Sequence, residues 1–242
     1  MNDKMALLKG KTIIVTGGTG TLGYNICKHL LDLKANVIFT CKDTNKALKM
    51  VSELRGNISY EYVDLTNDEC IENFIFKYKD KVDILIHNAA LNGEGNDVYM
   101  VNYLAVFKLN EINPKKIVYV ASNTYKKKNI ELDYYAYTKK LTLIKMIELK
   151  ENGKNVCIAH PGITPSKLFD QRRKIPKFIL KIIHMFMSKP SKASLAIIEA
   201  CINDSELYEW FGPSIFTIYG KPKKSKLNKK YIIEVKNEGK SI

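Results

Sequence analysis

Apolar positions along the 242-residue chain follow two alternating rhythms. Short runs rich in β-branched and aromatic residues occur at 12–16, 36–40, 58–63, 82–87, 116–121 and 156–159. Several are almost continuously apolar, the signature of strands covered on both faces and therefore of a parallel sheet. Between them lie segments with helical spacing, at 22–34, 45–54, 68–78, 97–110, 135–152 and 192–202. Strands alternating with helices predict an α/β fold, a doubly wound parallel sheet with helices on both faces. No internal repeat and no Pro/Gly/Ser-rich linker divides the chain, and its length suits one core, so 1–242 is expected to be a single domain.

Composition adds limits to this picture. With 45% hydrophobic and 26% charged residues, the chain is expected to be soluble and globular. Five scattered cysteines without a CxxC pair, and no Cys/His cluster at ligand spacing, predict a reduced cytoplasmic protein with no metal site. No secretory signal is read at the start, and no uncharged apolar run is long enough to span a bilayer. The formal charge of +14 is mostly lysine amid abundant Ile and Asn, as an AT-rich coding sequence gives without selection for binding. Six lysines between 221 and 230 lack interleaved aromatics, so 221–242 reads as a solvated basic tail and no nucleic-acid partner is expected.

Candidate chemistry begins where the first strand meets the first helix, in Thr16-Gly17-Gly18-Thr19-Gly20-Thr21-Leu22-Gly23. Glycines there let backbone N–H groups approach a pyrophosphate at the helix N-terminus. The spacing reads either as Gly18, Gly20 and Gly23 or as Gly17, Gly20 and Gly23. At the end of the second strand stand Cys41 and Lys42 instead of the carboxylate that would accept from the 2′-hydroxyl of NAD, which favours NADP(H) over NAD(H). Asp43, the nearest acid, has the alternative of turning inward. Asp64-Leu65 closes the third strand and Thr66-Asn67-Asp68-Glu69 reads as a capping box. After the fourth strand come His87-Asn88-Ala89-Ala90, whose small residues leave room for a ring and whose Asn88 suits a turn.

Tyr135 and Lys139 are four apart on one helix and so share a face. A tyrosine with its ordinary pKa of about 10 is a poor proton-transfer group near neutrality, and an adjacent ammonium lowers that value. Ser122, thirteen residues earlier at a strand end, places a hydroxyl within reach of a substrate oxygen.

Taken in order, the glycine turn, Asp64, Asn88-Ala89-Ala90, Asn102, Ser122, Tyr135-xxx-Lys139 and Pro161-Gly162 resemble the short-chain dehydrogenase/reductase family, over about 11–223. That resemblance implies a Rossmann-type sheet and an NAD(P)-dependent enzyme acting on a carbonyl/alcohol pair. It implies that Tyr135 transfers the proton, Ser122 holds the reacting oxygen, and Lys139 lowers the tyrosine pKa and bonds the nicotinamide ribose. Asn102 would position a water relaying protons from Lys139. Asp64 and Leu65 would bracket the adenine, Asn88 to Ala90 would support the sheet beside the cofactor, and Pro161, Gly162, Ile163 and Thr164 would touch the carboxamide. Glycine spacing at 17, 20 and 23 is that of the extended and atypical branches, and short stretches on both sides of Asn102 imply a trimmed fourth helix. That helix packs between subunits in many relatives, so a homo-oligomer stays open.

The ending from Phe211-Gly212-Pro213 to Gly220-Lys221-Pro222 looks like that of retinol-dehydrogenase-like members. Segment 176–187 is apolar apart from Lys177, Lys181 and His184, and the resemblance makes about 163–190 a substrate lid, favouring an apolar ketone or aldehyde. A core helix and a basic segment lying on an anionic membrane are the other readings. Functionally, a non-catalytic NADP-binding regulatory or scaffold protein is the main rival, and a nucleotide-sugar epimerase of the extended branch is a second.

Overall fold

The computed structural model describes residues 6–126, 133–164, 188–215, 219–230 and 232. Eight strands form one sheet in the order β3-β2-β1-β4-β5-β6-β7-β8. They are β1 (Thr12–Val15), β2 (Asn36–Cys41), β3 (Ile58–Tyr62), β4 (Ile84–His87), β5 (Lys116–Val120), β6 (Val156–Ala159), β7 (Glu209–Ile215) and β8 (Tyr219–Lys226). Seven are parallel and β8 alone is antiparallel. The longer helices among the described residues are α1 (Thr21–Asp32), α2 (Thr44–Glu53), α3 (Asp68–Tyr78), α4 (96–109), α5 (Tyr134–Glu151) and α6 (Leu195–Ile202). This is the doubly wound, single-domain α/β fold that the alternation predicts.

Side-chain alternation explains why the strands read as continuous apolar runs. Ile13, Val15, Ile84, Ile86, Val118 and Val120 enter one core with α1, α2 and α6. Their neighbours Ile14 and Leu85 face α3 and α4, and Ile117 and Tyr119 face α5 on the opposite side. Each strand feeds both layers, so period-2 polarity disappears.

The starts of α2, α3 and α5 are set by short polar side chains. Asp43 accepts from the Lys46 N–H at 3.0 Å and caps α2, and it is not among the residues lining the cleft. Asp133 caps α5 through the Ala136 N–H at 2.9 Å. The capping box read at Thr66 is corrected: Asn67 is the cap of α3, accepting from the Cys70 N–H. Thr66 instead gives both its N–H and its hydroxyl to Asp64 Oδ1, at 2.9 and 2.6 Å.

Two further corrections concern the C-terminal part. Segment 221–226 is not a solvated tail but most of β8, with Pro213 opposite Pro222 in the β7–β8 ladder. Leu227 and Ile232 are buried behind it. Lys221, Lys223, Lys224 and Lys226 lie on this last strand, where charge blunts edge pairing. The proposed lid falls mostly at 165–187, outside the described residues, as do Lys177, Lys181 and His184. Among the described residues no helix is long and apolar enough to cross a membrane.

Between β1 and β4 the connections leave in opposite directions, β1 towards β2 and β3, β4 towards β5 and β6. Such a switch point opens a crevice at the carboxyl ends of the strands.

Candidate active site

A cleft of about 890 Å³ opens at that switch point, and one continuous lining runs from the glycine turn to the end of β6. It brings together Gly17, Thr19, Gly20, Thr21, Leu22, Gly23, Cys41, Lys42, Leu65, Asn88, Ala89, Ala90, Ser122, Tyr135, Lys139, Pro161, Gly162, Ile163 and Thr164. Asp64 and Asn102 are absent from the lining.

The glycine turn is shaped by close backbone approaches. Gly17 has φ +67°, and a Cβ on it would sit 3.0 Å from Ala89 Cα. A Cβ on Gly23 would lie 2.4 Å from the Gly17 carbonyl oxygen. Gly18 is needed for a different reason, since a Cβ there would meet Phe39 at 2.4 Å, and it does not line the cleft. The reading as Gly17, Gly20 and Gly23 is thus the one that faces the cleft. Side chains from the neighbouring strands pin the turn. Thr40 Oγ1 accepts from the Gly17 N–H at 3.1 Å, and Asn88 Nδ2 donates to the Thr16 and Gly17 carbonyls at 2.9 and 3.2 Å. Unlike α2, α3 and α5, α1 starts with no side-chain cap, and its first turn carries no acid. Free N–H groups at a glycine-lined helix start fit a pyrophosphate.

At the β2 end of the cleft Lys42 is part of the lining and is ion-paired. Its Nζ lies 2.8 Å from Asp64 Oδ2. Burial raises the Asp64 pKa, and the Lys42 ammonium with the Thr66 donors outweighs that and holds it at about 2. The same hydrogen bond to Asp64 raises Lys42. The carboxylate of Asp64, expected to bracket the adenine, is engaged by Lys42 and Thr66. Leu65 and Val63 supply the apolar wall.

Asn102 lies outside the lining of the cleft. It sits in a π-helical turn, Met100–Leu104, 1% exposed. Its Oδ1 accepts from the Leu91 N–H at 2.8 Å, and its Nδ2 donates to the Leu91 carbonyl at 2.9 Å and to Thr138 Oγ1 at 3.1 Å. The Asn102 carbonyl accepts from the Thr142 hydroxyl at 2.7 Å. Asn102 therefore clamps α4 to α5 behind the cleft. A π turn frees a carbonyl from the regular ladder, and here Thr142 meets it.

The opposite end holds the proton-transfer candidates. Tyr135 is 7% and Lys139 4% exposed, and both line the cleft with Ser122. Ser122 Oγ accepts from the Thr124 N–H at 3.3 Å, which fixes the serine loop. Lys139 Nζ donates to the Val120 carbonyl at 2.6 Å, and burial pushes its pKa down to about 7. Near neutrality this side chain exchanges between ammonium and amine.

Several lining residues escape a motif-based reading: Thr40, Lys46, Leu91, Asn92, Asn123, Thr124, Asp133 and His160. His160 is 3% exposed and stacks on Trp210 with centroids 5.0 Å apart. Its place just before Pro161-Gly162, at the carboxyl end of a strand, is the signal that would have found it. The Ser188 N–H donates to the Ile163 carbonyl at 3.1 Å.

The short chain dehydrogenase family model matches residues 11–176. Retinol dehydrogenase 13 of Mus musculus is 26% identical over 204 residues, 67% of this chain and 61% of that protein. Salutaridine reductase of Papaver bracteatum is 31% identical over 93 residues, 35% and 30% of the two chains. The chain thus spans less than two thirds of either relative. Among solved structures, a short-chain dehydrogenase/reductase from Burkholderia phymatum in complex with NAD superposes with TM-score 0.65 at 16% identity, covering 80% of this chain and 86% of that one. The Pseudomonas aeruginosa RhlG/NADP active-site complex gives 0.64 at 18%, covering 81% and 91%. With the family model matched over more than half of its length and the cleft built as described, the chain belongs to the short-chain dehydrogenase family.

Proposed function

We propose that the protein is an NAD(P)-dependent oxidoreductase acting on a carbonyl/alcohol pair, in the direction of an NADPH-dependent reduction of an apolar ketone or aldehyde. One observation carries the reading: a single cleft is lined by the glycine turn at one end and by Ser122, Tyr135 and Lys139 at the other. The turn at Gly17, Gly20 and Gly23 with the start of α1 would hold the pyrophosphate, Cys41, Lys42 and Leu65 the adenosine, and Asn88 to Ala90, Lys139 and 161–164 the nicotinamide half. When bound, the nicotinamide supplies or accepts the hydride.

The chain's own groups handle the proton and the oxygen. The Ser122 hydroxyl donates to the substrate carbonyl oxygen and orients it. The Tyr135 phenol gives its proton to that oxygen in reduction and removes one from the alcohol in oxidation. Lys139 in its ammonium form lowers the cost of the phenolate left behind. The relay role of Asn102 is indirect in this reading, since its groups meet Leu91, Thr138 and Thr142. Lys42 and Lys46 at the adenosine end support a 2′-phosphate, and the apolar members Leu91, Val101 and Ile163 support an apolar substrate. A reduced cytoplasmic setting accords with five free thiols among the described residues.

The test is a panel of ketones and aldehydes with NADPH, followed by loss of its absorbance, with Tyr135→Phe alongside. Turnover in that variant should fall by about 10²–10⁴ while NADPH still binds, because a positioned acid/base contributes that much. Undiminished turnover would overturn the mechanism.

A further inference from the structure

Tyr119 on β5 touches Lys139 twice. Its ring centroid lies 4.3 Å from Lys139 Nζ, and its hydroxyl donates to the Lys139 carbonyl oxygen at 3.2 Å. The ring is 1% exposed and faces α5 from the sheet. The other position of β5 entering that core is the aliphatic Ile117. Filling space there does not require a phenol, whereas holding a buried cation calls for an electron-rich face.

We propose that Tyr119 is a positioning residue for the reaction: its ring face holds the Lys139 cation, and its hydroxyl holds the turn of α5 that carries Lys139 and Tyr135. The consequence for turnover rests on the oxidoreductase reading, while the contact itself does not.

The surroundings explain why such support matters. Among the described residues no carboxylate pairs with Lys139, and burial alone drives its pKa down. From β4, His87 interacts with it electrostatically, but burial above all pushes that imidazole down to about 4, so it stays neutral. From its own helix Tyr135 is the neighbouring titratable group, and Asp133 and His160 line the same cleft. Tyr119 itself stays a phenol, since burial, with the proximity of Tyr135, raises its pKa well above the ordinary value. The neutral Val120 carbonyl and the Tyr119 ring are what the ammonium meets.

The experiment titrates the full chain with lysine labelled by ¹³C at Cε, the Lys139 resonance being assigned by its loss in Lys139→Met. Tyr119→Phe keeps the ring and should leave the midpoint within a few tenths. Pentafluorophenylalanine at 119 keeps the shape but reverses the charge of the ring face, and should lower the midpoint by about one pH unit. Tyr119→Leu should do the same if it folds; the fluorinated variant keeps the test open if it does not. Where turnover is measurable, its pH profile should move towards acid by the same amount. An unmoved midpoint in the fluorinated variant overturns the proposal. A shifted midpoint in a protein that reduces no carbonyl would leave Tyr119 in its role and overturn the oxidoreductase reading instead.

Discussion

The two ends of the cleft are built from different materials. Around the glycine turn the working surface is backbone, shaped by missing Cβ atoms at 17 and 23, and its charged groups, Lys42 and Lys46, are mostly exposed. Around Tyr135 the working surface is side chain, and the supporting polar groups Asn102, Thr138, Lys139 and Thr142 are each no more than 4% exposed. Exposed ion pairs contribute little to stability, whereas buried polar groups carry large penalties when a partner is removed. Substitutions of the exposed lysines at the first end should therefore separate cofactor choice from folding, and substitutions at the second should change both.

Lys139→Met tests the buried end most severely. Turnover should fall by about 10² or more, in line with the loss of a proton-transfer partner. Stability should move the other way. Lys139 titrates near 7 when folded and near its ordinary 10.5 when unfolded. Between those values the unfolded chain binds more protons, so this group's contribution to stability rises with pH across that window. At pH 7 the methionine variant should be more stable by about 1–3 kcal/mol, the gap closing towards pH 10, as read by urea unfolding without cofactor. A destabilised variant at pH 7 would show that the contacts to Val120 and Tyr119 outweigh burial.

Gly23→Ala is the corresponding test of the backbone end. The added methyl would lie 2.4 Å from the Gly17 carbonyl and 2.8 Å from Gly18 Cα, so backbone must move. Overpacking of this kind costs about 1–3 kcal/mol, and NADPH affinity should fall by roughly 10²-fold in a fluorescence titration. Wild-type affinity would mean that the turn does not hold the phosphates.

His87→Gln sharpens the comparison at intermediate size. His87 is fully buried against Asn110 Oδ1 at 2.8 Å and titrates at about 4 instead of 6.5. Its contribution is intact above pH 6.5 and is lost as pH falls towards 4, where the unfolded chain takes the proton first. The glutamine variant should escape about 1–2 kcal/mol of that acid loss between pH 7 and 4.5. Parallel stability curves for the two proteins would contradict the assignment.

The smallest effect on folding belongs to Lys42→Ser. Stability should change by less than about 1 kcal/mol, because the pair with Asp64 is solvent-screened. Affinity for NADPH should fall roughly tenfold with NADH unaffected, as loss of one cation opposite a 2′-phosphate predicts. Equal weakening of both cofactors would assign Lys42 to holding Asp64 instead.

The contrast between the ends also explains what could be read from the chain. Strand and helix positions through β6 were legible because apolar runs such as Ile84–His87 feed two cores at once and tolerate few polar residues. β7 and β8 were not legible, since Pro213, Pro222 and four lysines read as loop and only their mutual pairing makes them strands. The glycine turn, Ser122, Tyr135 and Lys139 occupy strand and helix ends that a motif marks. The pairing of Lys42 with Asp64 depends on the β2–β3 register, which sets Cys41 opposite Tyr62, and no local pattern reveals it. Asn102 was visible as a residue but its π turn was not, so its clamp on Leu91 and Thr138 could only be seen in space.

The hydrogen bond from Ser188 to Ile163 ties the start of the C-terminal part to a residue that lines the cleft. Changing the length of an inserted segment alters closure entropy only slowly, about 0.6 kcal/mol for each doubling. Insertions or deletions between those two residues should therefore cost little through chain closure and leave Ser122, Tyr135 and Lys139 in place on their own elements.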